Sequence, residues 1–302
     1  MTTEQRPQCL LDPSEYTESM VHLGRVQLHV VQAGPKDGPP VLLLHGFPEM
    51  WFSWRYQIRA LAAAGFRVIA PDQRGYNTSD KPGAVADYAV QTLALDVADL
   101  VTALGYEQVS LVGHDWGGAV AWMVASLPQT AQVVKRLCVL NAPHPALFLD
   151  QMSLKQLRKS WYMFLFQLPA LPEWLIRRDN FKLLRGMLRY SGYQRPVMSE
   201  AEYQIFAAAF MQPGALTAAI NYYRAALRGN PLALKRQVQP VSCSTLLIWG
   251  EKDVALGKEL TYGLSPLVPR LRVQYIEDAG HWVQQEKPEE VNRHLLQFLR
   301  AE

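Results

Sequence analysis

Residues 109–118, with the sequence VSLVGHDWGG, decide the fold of this chain. An apolar run of strand length ends at Gly113, an acidic residue stands at position 115, and two glycines then open a helical pattern. This order is typical of a strand, a strained turn and a helix that hold a reactive side chain above a parallel sheet. The glycines are needed because strand and helix approach each other too closely for a Cβ atom. We therefore expect a parallel sheet with Asp115 at the apex of this turn.

Alternating strand and helix patterns surround this turn. Residues 41–44 (VLLL) are apolar throughout, as a central parallel strand must be when both of its faces are covered. The predicted strands are residues 25–31, 41–44, 67–70, 109–112, 137–140, 245–249 and 273–276, and the predicted helices are about residues 54–64, 91–104, 117–127 and 288–299. The sequence thus predicts an α/β fold, with a mostly parallel central sheet and helices on both of its faces.

The alternation is interrupted between about Pro143 and Pro240, where the pattern is helical and punctuated by prolines. The longest charge-free stretch, residues 203–223, contains Pro213-Gly214 and predicts two helices with a turn between them rather than a membrane span. We therefore expect a core made of residues 1–142 and 240–302. A helical lid domain, residues 143–239, is expected to be inserted into one of its connections.

Composition excludes several classes of protein. The 302 residues are 49% hydrophobic, which excludes a disordered chain, and the formal net charge of +3 gives no argument for a nucleic-acid partner. Residues 1–6 are polar and lead into no apolar run of signal-peptide length. Cys9, Cys138 and Cys243 have spacings that suit neither zinc nor a disulfide framework. We expect a cytoplasmic protein with reduced thiols, without a membrane anchor and without a metal.

The acidic residue at the apex indicates the type of reaction. A carboxylate that attacks a carbonyl group gives a mixed anhydride, whereas a carboxylate that attacks a saturated carbon gives an alkyl ester that water can cleave. We therefore predict covalent catalysis by Asp115 at a saturated carbon. The alternative interpretation is an aspartate that only caps the following helix.

Two late loops supply candidates for the other catalytic groups. Asp253 and His281 each follow a late predicted strand, so both are expected at the carboxyl edge of the sheet beside Asp115. We predict that His281 activates water and that Asp253 orients its imidazole and stabilises the imidazolium. Glu251 is the alternative acid. Asn141 stands at the end of an earlier strand, where an acid could otherwise have served.

A second loop follows the central strand with the sequence His45-Gly46-Phe47-Pro48. The backbone N–H groups of Phe47 and Trp116 are the predicted donors of an oxyanion hole. The remaining histidines are expected to be structural, namely His22, His29, His45, His114, His144 and His294.

These motifs resemble those of the α/β-hydrolase-fold epoxide hydrolases, over nearly the whole chain except about its first fifteen residues. Residues 45–55 (HGFPEMWFSWR) resemble the oxyanion loop of that family, residues 70–80 (APDQRGYNTSD) its next loop, and residues 113–118 (GHDWGG) its nucleophile motif. Asp115 narrows the resemblance to epoxide hydrolases and dehalogenases. The resemblance implies an α/β-hydrolase fold that needs no metal or organic cofactor.

The resemblance further implies two lid tyrosines that bind and protonate the epoxide oxygen. Residues 160–169 resemble the segment with the first, Tyr162, and residues 221–224 resemble the segment with the second. There the tyrosine directly before the arginine matches, hence Tyr223, with Tyr222 as the alternative. A phenol can protonate the alkoxide that ring opening leaves, because the alkoxide is far more basic than a phenolate. Phe47, Trp116 and these two tyrosines are the predicted substrate-binding residues.

The predicted reaction is hydrolysis of a small apolar epoxide by water to a vicinal diol, of the kind used in detoxification, through a hydroxyalkyl ester on Asp115. One alternative is a haloalkane or haloacid dehalogenase with the same nucleophile. A haloacid enzyme often carries arginine where Trp116 stands, and paired tyrosines have no task in halide release. The other alternative is a non-catalytic, ligand-binding α/β-hydrolase scaffold, against which the intact set of Asp115, His281 and Asp253 argues.

Two further groups of lid residues suggest surfaces. The lid aromatics are expected to form an apolar pocket wall, namely Trp161, Phe164, Phe166, Trp174, Phe206 and Phe210. Four basic residues recur at helical spacing, namely Arg178, Lys182, Arg185 and Arg189. They predict a solvated helix face, with an anionic partner or a membrane surface as the alternative.

Overall fold

The computed structural model describes residues 11–193 and 196–301, so Cys9 and the polar residues 1–6 lie outside the described residues. Its strands form one sheet of eight in the order β1-β2-β4-β3-β5-β6-β7-β8. Strand β2 is antiparallel to both of its neighbours, and every later pair is parallel. The strand bounds are β1 Tyr16–His22, β2 Gln27–Ala33, β3 Pro40–Leu44, β4 Arg67–Pro71, β5 Val109–His114, β6 Val134–Leu140, β7 Ser244–Gly250 and β8 Leu271–Ile276.

The helices are inserted between these strands in chain order. Their bounds are α1 Arg55–Ala63, α2 Val90–Ala103, α3 Trp116–Ser126, α4 Pro145–Phe148, α5 Leu154–Lys159, α6 Trp161–Leu165, α7 Leu171–Tyr190, α8 Glu200–Met211, α9 Ala215–Arg228, α10 Pro231–Gln237, α11 Val283–Glu286 and α12 Pro288–Arg300. Helix α1 packs against α12, and α2 packs against α3. The predicted α/β class with a mostly parallel sheet is confirmed, and each predicted strand forms within three residues of its expected bounds.

Parallel pairing brings five loops to one edge of the sheet. Strands β3, β5, β6, β7 and β8 are parallel neighbours, so their carboxyl ends point the same way. The residues that follow these ends include Phe47, Asp115, Asn141, Asp253 and His281. Strand β5 is buried along its whole length, which is why its sequence is apolar without alternation. The candidate catalytic groups therefore follow buried strands in the middle and later half of the sheet.

Helices α4–α10, hereafter the inserted helices, lie in the connection between β6 and β7. The charge-free stretch forms α8 and α9, and Gly214 takes a positive φ of 79° in the turn between them. Helix α7 is interrupted, because residues 178–181 have non-helical dihedral angles. The predicted basic face is therefore interrupted at Arg178, and its other three members, Lys182, Arg185 and Arg189, follow the break on helical backbone. Two of its members, Arg185 and Arg189, instead form ion pairs with Glu200.

A buried ion pair joins the inserted helices to the core. The Arg55 Nε on α1 donates to Glu202 Oε1 on α8 at 2.8 Å, and Arg55 Nη1 donates to Gln285 Oε1 at 2.7 Å. Arg55 is fully buried and Glu202 is 2% exposed. Burial alone would raise the pKa of Glu202, but the charge of Arg55 and the bonds from Ser199 hold it below its usual value. Each charge is thus compensated by the other in a place that water does not reach.

The substitution Glu202→Gln is expected to lower the free energy of unfolding by about 3 kcal/mol, because it leaves the Arg55 charge buried without a counter-ion. The matched control is Glu200→Gln, two positions away, whose carboxylate is 44% exposed and pairs with Arg189 at the surface. That change is expected to cost less than about 1 kcal/mol. Urea unfolding of both variants measures the difference. Equal losses would mean that the Arg55–Glu202 pair does not hold the inserted helices to the core.

Candidate active site

Asp115 occupies a strained turn between β5 and α3. Its φ of 50° and ψ of −119° lie outside the conformations that side-chain-bearing residues prefer. A Cβ on Gly113 would stand 2.3 Å from the Gly117 carbonyl oxygen, and a Cβ on Gly117 would stand 2.1 Å from that of Leu44. Only glycine fits at these two positions, as the sequence pattern predicts. The turn projects the Asp115 carboxylate away from the sheet edge at the N-terminus of α3.

The Asp115 carboxylate is held by groups from two other loops. The Phe47 N–H donates to its Oδ1 at 2.8 Å, and His281 Nε2 lies 3.5 Å from its Oδ2. Gly46 passes so close that a Cβ there would lie 2.5 Å from the Asp115 Cβ. Burial alone would raise the pKa of Asp115, but the hydrogen bond and charge of His281 outweigh it and hold the pKa below its usual value. The carboxylate is therefore ionised at neutral pH.

His281 is bonded from behind by Asp253. Its Nδ1 lies 2.8 Å from Asp253 Oδ2, which also accepts from Asn141 Nδ2 at 2.7 Å. The other oxygen, Oδ1, accepts from the N–H groups of Ala255 at 2.7 Å and Leu256 at 2.8 Å. Four donors hold this carboxylate. Burial alone would raise the pKa of Asp253. The charge of His281, whose effect is larger than that of these hydrogen bonds, acts with them to hold the pKa below its usual value.

The two candidates for the acid are distinguished by their partners. Glu251 bonds to Lys258 Nζ at 2.6 Å near the surface, whereas Asp253 is 4% exposed and faces His281. The geometry therefore joins Asp253, and not Glu251, to the histidine. The sequence predicts no role for Asn141, which stands where an acid could otherwise have served. In the structure its Nδ2 donates to Asp253, and its Oδ1 accepts from the Gly250 N–H at 3.0 Å.

His281 lies between two carboxylates. Burial alone would lower its pKa, but the charge of Asp253 and the hydrogen bonds to Asp115 and Asp253 raise it well above the usual value. The two carboxylates thus favour the protonated form of the ring, whose Nδ1 faces Asp253 and whose Nε2 is directed at Asp115. The sequence predicted the three residues, and the structure brings them together.

A second buried pair supports the backbone of His281. His114 Nε2 donates to the His281 carbonyl oxygen at 2.8 Å, and its Nδ1 lies 2.9 Å from Glu49 Oε2. Glu49 and His114 are fully buried, and Gln285 Nε2 donates to Glu49 Oε1 at 2.6 Å. Because a carbonyl oxygen cannot donate, the proton in the bond to His281 belongs to His114 Nε2. His114 is therefore structural, as expected, but it supports the catalytic loop.

Residues 39–288 of the chain match the family model described as alpha/beta hydrolase fold. Epoxide hydrolase 3 of Mus musculus is 38% identical over 308 residues, which cover 97% of this chain and 82% of the mouse protein. The chain belongs to the epoxide hydrolase family of α/β hydrolases. The predicted α/β-hydrolase fold and the resemblance that implied it are thus confirmed.

Two further relatives agree with this membership. AB hydrolase superfamily protein YfhM of Bacillus subtilis is 40% identical over 283 residues, covering 93% of this chain and 96% of that protein. An epoxide hydrolase from Bacillus megaterium, solved in complex with its product, a naphthyloxy-propane-1,2-diol, is 28% identical with a TM-score of 0.82. The match covers 94% of this chain and 100% of the B. megaterium chain. This α/β hydrolase therefore shares its fold with the B. megaterium enzyme over nearly its whole length.

Tyr162 and Tyr223 stand together over the Asp115 side of the sheet. Their ring centroids are 5.7 Å apart, and the Tyr223 ring lies 5.0 Å from that of Trp116 and 5.3 Å from that of Phe47. Burial, together with the negative charge of Asp115, raises the pKa of both phenols above the usual value. Both phenols therefore keep their protons at neutral pH.

Tyr222 points elsewhere. Its hydroxyl donates to the Arg74 carbonyl oxygen at 2.7 Å, and its ring packs against those of Tyr76 and Tyr88. The Tyr222 proton is therefore already used in a hydrogen bond within the core of this α/β hydrolase. The geometry therefore favours Tyr223 over Tyr222 as the second phenol beside Asp115.

The aromatics expected to form an apolar wall divide into two groups. Phe166 and Phe210 are buried and their rings lie 5.7 Å and 6.2 Å from that of Phe47, and Phe206 is buried beside Phe52. The other three are exposed to solvent, with Trp161 at 62%, Phe164 at 54% and Trp174 at 55%. The prediction of a pocket wall is wrong for these three, because each lies on the outer side of its helix.

The described residues contain neither a metal-binding cluster nor a membrane-spanning helix. No three His, Cys, Asp or Glu side chains of residues 11–193 and 196–301 are grouped so that they could hold a metal ion. In that same part of the chain, every helix is too short or too polar to cross a bilayer. Cys138 and Cys243 are free thiols.

Proposed function

We propose that this chain hydrolyses epoxides to vicinal diols through a covalent ester on Asp115, with residues 143–239 acting as the lid over the core. The observation that carries the proposal is the arrangement around the Asp115 carboxylate. A histidine–aspartate pair contacts it, and two buried phenols stand together beside the rings of Phe47 and Trp116 that flank it. Relatives that share the whole length of the chain are named epoxide hydrolases, and one was solved with a diol product.

The first step opens the ring. The hydroxyls of Tyr162 and Tyr223 hold the epoxide oxygen, and Asp115 Oδ2 attacks a ring carbon from the opposite side. The new bond joins Oδ2 to that carbon, the ring carbon–oxygen bond breaks, and one phenol gives its proton to the leaving oxygen. Holding both reactants in line supplies much of the rate enhancement. The aromatic rings of Phe47, Trp116 and Phe166 exclude water from this step.

The second step cleaves the ester. His281 accepts a proton from water, Asp253 stabilises the imidazolium, and the hydroxide attacks the ester carbonyl carbon of Asp115. The Phe47 N–H already lies 2.8 Å from Oδ1, the oxygen that develops charge, and the Trp116 N–H at the start of α3 is the second donor. The bond between the carbonyl carbon and Oδ2 then breaks, and the leaving alkoxide takes up the proton that the attacking hydroxide carried. The diol leaves with Oδ2, and the water oxygen remains on Asp115.

The alternatives fit these contacts less well. A dehalogenase releases a halide, which leaves without taking up a proton, so it has no need of Tyr162 and Tyr223 as acids. A non-catalytic scaffold gives no reason for a buried histidine between two carboxylates, an arrangement that is costly to assemble.

Single turnover of styrene oxide in H₂¹⁸O tests the proposal. With enzyme in excess, the first diol is expected to carry unlabelled oxygen from Asp115, and the label is expected in the protein. Chloroalkanes and fluoroacetate serve as parallel substrates. Labelled diol in the first turnover would contradict the covalent route, and halide release without diol formation would identify a dehalogenase instead.

The two adjacent tyrosines give a matched pair of variants. Tyr223→Phe removes a proton donor and is expected to lower kcat/KM for styrene oxide by about 10²-fold. Tyr222→Phe removes only the bond to the Arg74 carbonyl and is expected to cost about 1 kcal/mol of stability, with kcat/KM within about threefold. Steady-state kinetics and thermal unfolding of both proteins give the comparison. The reverse ranking in kcat/KM would assign the donor to Tyr222.

A further inference from the structure

The side of the inserted helices that faces away from Asp115 carries a cluster of exposed apolar side chains. Five residues between positions 161 and 174 are each at least 40% exposed, namely Trp161, Phe164, Leu168, Leu171 and Trp174, here called the outer lid face. Single exposed apolar residues are normal, but several large ones grouped together mark an interaction surface. Two of the five are tryptophans, the residue type that favours the interface between water and lipid.

The residues of the outer lid face are held in one fixed arrangement. Trp161, Phe164 and Leu168 are spaced at i, i+3 and i+7, which places them on one side of α6 and the turn after it. The buried Arg224 bonds to the Leu168 carbonyl at 2.9 Å and to Glu173 Oε1 at 2.8 Å. This single guanidinium ties the end of α6 to the first turn of α7, so the exposed side chains of both are presented together.

Positive charge is concentrated around this face. Residues 151–190 contain eight Lys and Arg but only two acids, a net charge of six, whereas the whole chain has a net charge of +3. The rest of the chain is therefore net negative. Arg178 lies 5.3 Å from the centre of the exposed Trp174 ring, and Arg158 and Arg177 are also exposed, whereas Lys155 pairs with Glu259. An apolar centre with a basic surround is the composition of a segment that lies in the surface of an anionic bilayer.

We propose that the outer lid face docks on the surface of an anionic lipid bilayer. Trp161, Phe164 and Trp174 enter the boundary between headgroups and acyl chains, and the surrounding Lys and Arg side chains contact the lipid phosphates. A symmetric dimer through the same face would place two segments of net charge six against each other, so charge favours the lipid over a second copy. Tyr162 lies on α6 next to Trp161, so docking brings the phenol-bearing helix to the phase in which apolar epoxides dissolve.

Vesicle flotation tests this proposal without reference to catalysis. The full chain is mixed with vesicles of phosphatidylcholine alone or with 30% phosphatidylserine (about one lipid in three, a strongly anionic surface). Binding is expected on the anionic vesicles, with a partition coefficient at least about tenfold above that on phosphatidylcholine, and is expected to weaken in 0.5 M NaCl (a Debye length of roughly 4 Å). The double variant Trp161→Ser with Phe164→Ser is expected to lose about tenfold or more of the partition coefficient.

The matched control is Met20→Ser, an exposed apolar residue at 46% on strand β1, which is expected to bind as the unchanged protein does. Because all three altered residues are exposed, thermal unfolding is expected to stay within a few degrees for every variant. Absence of binding at millimolar anionic lipid overturns the proposal. So does equal loss in the control. A concentration-dependent dimer that the double variant abolishes, without vesicle binding, would assign the face to self-association instead.

Discussion

The substitution Asp115→Ala is expected to reduce diol formation from styrene oxide by at least about 10⁴-fold, to the level of the uncatalysed reaction. The proposed cycle forms its only covalent bond through the Asp115 carboxylate, and no other described carboxylate both lies within 4 Å of His281 Nε2 and receives the Phe47 N–H. The phenols and the oxyanion donors remain, but they have no nucleophile to assist. Initial rates at a high enzyme concentration measure the loss.

The control for this variant is Glu251→Gln, which changes the neighbouring acid that bonds Lys258 at the surface. It is expected to keep kcat within about twofold, as surface changes do. Because alanine at a φ of 50° is strained, circular dichroism and thermal unfolding must show that Asp115→Ala is folded. A folded variant that retains a tenth of the activity would contradict a nucleophilic role for Asp115.

The substitution His281→Gln is expected to separate the two halves of the cycle. Glutamine has no basic nitrogen, so it cannot accept a proton from water, whereas ring opening by Asp115 does not use the imidazole as a base. One equivalent of epoxide is therefore expected to be consumed in a burst, after which turnover falls by about 10³-fold or more. Intact-protein mass spectrometry is expected to show the mass of one epoxide added, on the peptide that contains Asp115.

This adduct distinguishes the histidine's role from a structural one. A variant that merely distorts the site would show neither burst nor adduct, and the proposed base would then be unsupported. Continued turnover at more than a few per cent of the normal rate would show that another group activates the water. Glu251→Gln again provides the reference, because it is expected to show full turnover and no adduct.

The sequence predicted most of the sheet because its strands are buried on both faces. Strands β3 and β5 are mostly apolar, with Gly46 in the turn after β3 and Gly113 near the end of β5, a pattern that favours buried parallel strands. Strand β1 was not predicted, because Tyr16–His22 is mostly exposed and its polar sequence carries no alternation. It forms only through backbone pairing with β2 at the sheet edge. The break in α7 was also missed, since residues 178–181 contain neither proline nor glycine.

At the candidate site, the sequence predicted the catalytic side chains but not the residues that hydrogen-bond to them. Asp115, Asp253 and His281 follow strand ends in the order that a known turn motif implies, so their meeting was predictable. The bonds that hold them were not, because Asn141 and Glu49 come from loops whose approach depends on the whole sheet. A usable signal does exist for Asn141, a polar residue placed directly after a buried strand. The outward direction of Trp161 depends on the packing of α6, which composition does not encode.

The placement of His281 between two carboxylates makes ester hydrolysis depend on prior ester formation in the proposed cycle. While both carboxylates are charged, they stabilise the protonated imidazole, so His281 is a poor base for activating water. Formation of the ester removes the charge of Asp115, and burial then lowers the His281 pKa and releases the proton. That proton is the one that the phenolate left by ring opening must recover. The proposed cycle therefore generates its base only when an ester is present, and it restores its acid without drawing a proton from solvent.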